Sequence, residues 1–126
     1  MQDLPAPAVI LDLAIDQLNS IDPTGARAKF EMRMATAALQ LVKRALELEL
    51  MSDAREMARL RALLGEDASL EALNLRLCTL IRSGELTRQS PGVTAHLRAV
   101  TMEKLAIDQP SYAAYQRALQ QAEGDA

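Results

Sequence analysis

An all-α fold follows from three features of the chain. No segment alternates apolar and polar residues as a half-buried strand must. Gly25 to Met51 is a run without proline or internal glycine, rich in Ala, Leu, Met, Glu, Lys and Arg, the residues that give up least on entering a helix. Apolar residues make up 49% of the sequence but aromatics only 2%, so the core must be aliphatic, and six methionines let it adapt its shape. At 126 residues the chain fits one domain that buries roughly two-thirds of its unfolded surface. The expected architecture is a single-domain bundle of about five or six helices around a long central helix at residues 25–51.

The elements follow in order. Pro5 and Pro7 are expected to keep the first residues extended, and residues 1–8 and 122–126 to be flexible. Val9 to Ser20 carries Ile10, Ala14 and Leu18 on one side with Leu11 and Ile15 adjoining, which reads as a first helix. Ile21 to Gly25 breaks it, since Asp-Pro and Gly form turns. On the central helix Phe30, Met34, Ala37, Ala38, Leu41, Ala45 and Leu48 fill one face, and Ala35, Leu39, Val42, Leu46 and Leu50 extend it. Only Arg33, Thr36, Gln40, Lys43, Arg44 and Glu47 form a polar strip, so neighbours should cover this helix from more than one direction.

Ser52 and Asp53, with Glu56 three residues after Asp53, resemble a capping box opening a short helix that Gly65 ends. Asp67 and Ser69 offer caps for the next helix, whose stripe of Leu70, Leu73, Leu77, Leu80 and Ile81 closes at Gly84. Ser90-Pro91 reads as a cap followed by proline in the first turn, starting a helix that runs to about Gln109, where Pro110 stops it. Ser111 can cap a last segment whose polar end frays.

Composition removes several classes of function. One cysteine, Cys78, excludes an internal disulfide, and with one histidine the chain lacks the usual ligands of a zinc site. There is no Glu-x-x-His motif for a di-iron bundle and no phosphate-binding glycine loop, so no metal or cofactor is expected. A net charge of −3 with interspersed signs gives no field for nucleic acid or an anionic membrane. Residues 58–77 superficially suggest a helix-turn-helix, but the turn is acidic and the second helix has a single basic residue before Arg82. The charged N-terminal stretch is neither signal peptide nor membrane span, which points to a soluble cytoplasmic protein.

Five residues are candidates for a binding site. With Leu97 as centre of the apolar arc on its helix, Lys104 and Asp108 fall inside that arc, four residues apart and in reach of each other. A lysine desolvated beside a carboxylate could hold an anion or a partner's carboxylate; equally, Lys104 can snorkel while Asp108 accepts backbone hydrogens near Pro110. His96 lies on the same side, and Asn74 and Arg82 bracket Cys78 at four-residue steps, either as an aligned polar ridge or as a solvated seam. Cys78 with His96 would make a nucleophile and base, but a cysteine in a Leu-rich helix is ordinarily a small buried hydrophobe.

The runs FEMRMATAALQLVKRALELEL, LRALLGEDASLEALNLRLCTLIRSGEL and AHLRAVTMEKLAIDQPSY resemble the three blocks of a bacterial family of small helical domains of unknown function. LNLRLC, IRSGEL and KLAIDQP are the specific segments, while Ala37 stands where that family's central helix would carry Asn. The resemblance implies genes beside aminoglycoside-phosphotransferase-like kinases and acyl-CoA dehydrogenases, with either protein a possible partner. It transfers no catalytic residue. The expected function is a non-catalytic accessory or interaction protein that binds a phosphotransferase-like kinase in acyl-CoA metabolism or pairs with itself. The rival is a small-molecule binder or minor enzyme with an anion pocket around Lys104 and Asp108, joined by His96, Asn74 and Arg82.

Overall fold

The computed structural model describes residues 6–124. They form five helices and no strand: α1 (Pro7–Asn19), α2 (Ala26–Leu64), α3 (Leu70–Ser83), α4 (Val93–Asp108) and α5 (Ala113–Gly124). The all-α expectation holds. The expected flexible ends fall partly outside the described residues; Pro7 and Ala8 lie in α1, and positions 122–124 lie in α5.

Three boundaries differ from expectation. Pro7 opens α1 instead of delaying it, because the first turn needs no N–H from that residue. At Ser52 and Asp53 the helix does not end: α2 runs through them, 39 residues in all, and the expected short helix is its last part. Ser and Asp inside a helix cost about 0.5–0.7 kcal/mol each, less than exposing the unsatisfied backbone groups of two new ends. Gly65, at φ 68°, is where α2 stops, its N–H donating to the Arg61 carbonyl at 2.9 Å. The third difference is at α4, which begins at Val93 after Gly92 rather than at Pro91. Gly92 takes φ 84°, a left-handed conformation that breaks any helix begun at Pro91, and a Cβ there would come within 3.2 Å of Leu63 Cδ1. Ser90 instead accepts the Thr87 N–H through Oγ at 2.9 Å. The caps expected of α3 are in place: Ser69 Oγ accepts the Ala72 N–H at 3.3 Å, and Gly84 closes the helix at φ 79°.

The chain divides into two compact units, Met1–Glu49 and Leu50–Ala126. In the first, α1 lies along the opening stretch of α2, with Ile15 buried and Lys43 Nζ donating to Asp12 Oδ1 at 2.7 Å. The Asp12 carboxylate raises the Lys43 pKa above its ordinary value. The second unit holds a tighter core of Leu60, Leu73 and Leu77, packed by Met57, Leu63, Leu64, Ala68, Leu70 and Leu86. Val93, His96 and Tyr115 are also buried there, whereas Tyr112 is half exposed.

The best-packed core therefore gathers around Leu60, not around Phe30 to Leu50 as the periodicity suggested. Phe30, Met34, Leu41, Val42, Leu46 and Leu48 are all exposed. One neighbouring helix in that unit cannot cover a helix that is apolar round most of its circumference.

Candidate functional site

The second unit assembles a polar cluster from α2, α3 and α4. Arg55 and Arg59 are one helical turn apart on α2 and converge on Glu103 of α4. Arg55 donates through Nε to Oε1 at 2.8 Å; Arg59 donates through Nη1 to Oε1 at 3.2 Å and through Nη2 to Oε2. Burial pushes the Glu103 carboxyl up, but the hydrogen bonds and charges of Arg59 and Arg55 outweigh it and hold the group below the ordinary carboxylate range. Alongside, Asn74 Nδ2 on α3 donates to Glu56 Oε1 at 2.7 Å.

His96, one turn into α4, is the buried polar residue of this unit at 4% exposure. Burial and then the charge of Arg59 lower its pKa, against the weaker opposing pull of Glu56 and Glu103. The ring is therefore neutral around neutral pH.

Arg59 and His96 also line a concavity of about 460 Å³ with Ala62, Leu63, Pro91, Gly92 and Ala95. Two buried atoms of these residues, Arg59 Nε and His96 Nδ1, have no hydrogen-bond partner. Buried polar atoms ordinarily find one, so Arg59 Nε–H is a donor, and His96 Nδ1 a donor or an acceptor according to tautomer, whose hydrogen bonds the fold leaves unmade beside this concavity.

The candidates read from the sequence are distributed as follows. His96 and Asn74 belong to the cluster. Lys104, Asp108 and Arg82 are exposed, and so is Cys78, contrary to the buried cysteine expected in a Leu-rich helix. Leu97, taken as the centre of the inner arc of α4, is 45% exposed. The covered side runs instead through Val93, His96, Val100, Glu103 and Ile107, roughly 80° round the helix, so Lys104 and Asp108 lie outside it.

Sequence reasoning missed Arg55, Arg59, Glu56 and Glu103. The signal was present: His96, Val100, Glu103 and Ile107 repeat at four, three and four, a helix face with two polar members, and Arg55 and Arg59 offer the complementary charge at i,i+4. No group of three or more His, Cys, Asp or Glu among the described residues is placed to hold a metal ion. None of the described helices is long and apolar enough to cross a membrane.

A second feature belongs to the first unit. Val9, Ile10 and Leu13 on α1 and Val42 and Leu46 on α2 are between 47% and 63% exposed, while among the described residues of this unit only Ile15 is buried. Five half-exposed apolar side chains on a two-helix unit form a surface of the kind that protein interfaces cover.

No curated protein and no solved structure matches the chain. A family model does: residues 23–112, from the turn before α2 to the residue before α5, match a domain of unknown function, DUF6285. That stretch includes the whole Arg55, Arg59, Glu103, His96 cluster, and the chain belongs to the DUF6285 family.

Proposed function

We propose that the protein is a non-catalytic interaction module, an accessory that docks a protein partner on the outer apolar surface of its α1 and α2 hairpin. The observation that carries this reading is the exposure of Val9, Ile10, Leu13, Val42 and Leu46. Hydrophobic side chains gain about 1.5–3 kcal/mol each on full burial, so such a surface is a reservoir of binding energy. The partner we assign is a phosphotransferase-like kinase, with an acyl-CoA dehydrogenase as the alternative, in the cytoplasm and in service of acyl-CoA metabolism. Support for that choice comes from the resemblance of the three sequence blocks. The test mixes the purified chain with the host's phosphotransferase-like kinase and with its acyl-CoA dehydrogenase and measures complex formation by titration calorimetry. A complex with one of them that Leu13→Glu and Leu46→Glu weaken at least tenfold is the expected result. No complex with either enzyme overturns the assignment.

A second reading is favoured by the unpartnered Arg59 Nε and His96 Nδ1. It makes the concavity beside them a small-molecule site, shifting the anion pocket from Lys104 and Asp108 to the neighbourhood of Arg59 and His96. Ligands with a short apolar body and a carboxylate suit its lining. Hexanoate should move the His96 imidazole resonances in a saturable way and raise the melting temperature; unchanged spectra at millimolar ligand remove this reading.

A further inference from the structure

Along α2, Phe30, Met34, Ala37, Leu41, Arg44 and Leu48 follow one another at four, three, four, three and four residues, the spacing of a coiled-coil seam. Phe30 and Met34 are each 55% exposed, Leu41 39% and Leu48 37%. The partly covered positions Met32, Thr36, Leu39 and Lys43 lie roughly 120° or more round the helix from Phe30; Arg44 on the seam and Ala45 on its flank are also partly covered, Arg44 lining a concavity with Asp12 and Ile15, so α1 borders the seam at that layer and leaves its apolar members exposed. Val42 and Leu46 are also off it. A regular 3.5-residue repeat whose apolar members are left exposed over nearly three heptads is matched to another helix of the same period, not to an irregular surface.

We infer that the occupant is a second copy of the same helix, running antiparallel about a two-fold axis near Leu39, so that this seam is the protein's homodimer interface. Orientation follows from the side chains. A parallel pair would set Arg44 against Arg44 of the second copy and leave Ala37 facing Ala37 across a gap. In the antiparallel pair Ala37 faces Leu41 of the second copy, Phe30 faces Leu48, and Arg44 faces the flexible thioether of Met34. Small meets large at the Ala37 and Leu41 layers, and the two outer layers pair Phe30 with Leu48.

The flanking charges agree. On one flank of the seam stand Arg33, Gln40 and Glu47 at seven-residue intervals. Antiparallel pairing brings each Arg33 to Glu47 of the second copy and each Gln40 to its own counterpart, and the two-fold axis makes the Arg33 and Glu47 contact twice. The opposite flank carries Glu31, Ala38 and Ala45, with Ala38 meeting Ala38 at the axis and no like charges brought together. The surface is thus complementary to itself, as a two-fold interface requires.

The experiment combines sedimentation with cross-linking on the whole chain. Mass should rise with concentration from one chain to two. Leu41→Glu, checked for retained helicity and melting behaviour, should abolish the dimer. Arg33→Glu and Glu47→Arg should each raise the dissociation constant on the order of tenfold, and the double variant should recover it. In a Cys78→Ala background, Ala38→Cys should be joined across the axis by a short bismaleimide. Met34→Cys should not, because ten residues of helix, about 15 Å, separate it from its counterpart's layer. A monomer at all concentrations, a dimer indifferent to Leu41→Glu, failure of the double variant to recover, or cross-linking at position 34 rather than 38 overturns the inference. Since Leu13 and Leu46 lie off the seam, a Leu41→Glu monomer that still binds the kinase-like partner separates this interface from the docking surface proposed above.

Discussion

Arg59 and Glu103, 44 residues apart in sequence, meet through both terminal nitrogens of the guanidinium and both oxygens of the carboxylate. This contact ties α2 to α4 inside the second unit, with 27% of the Arg59 and 17% of the Glu103 side chain exposed. With both Nη atoms engaged, Nε is the unmatched donor of this guanidinium.

Glu103→Leu should therefore cost about 2–3 kcal/mol, because Arg59 is left partly buried without its acceptor. Adding Arg59→Met should restore most of that loss. Urea denaturation of the single and double variants checks both numbers. Losses that simply add, with no recovery in the double variant, would show that the contact is not an isolated pair.

Acidification should weaken the fold through two groups acting in the same direction. The His96 pKa is lowered in the folded chain relative to the ordinary 6.5, so its neutral ring favours the folded state at higher pH. That contribution is complete above about 6.5, is lost as pH falls below it, and levels off once the folded ring itself takes a proton. Glu103 is also lowered in the fold, so its contribution is present above the unfolded carboxyl value and disappears as pH drops through the folded one. Replacing His96 by Leu should flatten the upper limb of the stability curve and leave the lower, carboxylate limb. An upper limb of unchanged slope in the variant would place the titration elsewhere.

Asp53→Ala distinguishes the continuous helix from the cap that its sequence resembles. In a helix interior the change should stabilise by about 0.5 kcal/mol, since Asp is a poorer helix former than Ala. At an N-cap it would cost about 1 kcal/mol. The sign of the shift in thermal midpoint is enough to decide.

The all-α fold, the helix from Ala26 onward and the caps at Ser69 and Gly84 were legible because each depends on local chemistry. Ser52 and Asp53 misled for the same reason: capping residues license a helix start but cannot force one where the residues on both sides favour continuation. At α4 the left-handed Gly92, pressed against Leu63 from another helix, set the start, and a single segment's pattern carries no record of that approach. The site was half legible. His96 and Asn74 stood out as polar residues beside apolar stripes, but Glu103 looked like an ordinary surface charge until Arg55 and Arg59 were brought opposite it. Lys104 and Asp108 were misplaced because the inner arc was centred on Leu97, the more hydrophobic neighbour, when His96 was the residue turned inward.

Tyr115, 9% exposed, and Tyr112, 51% exposed, give the chain a simple optical signature, because it has no tryptophan. The two phenols absorb in the same band, but only one sits in an asymmetric, water-poor setting. Near-ultraviolet dichroism thus reports mainly on the surroundings of Tyr115, while solvent-perturbation absorbance reads Tyr112. A change at α5 is visible without attaching a dye.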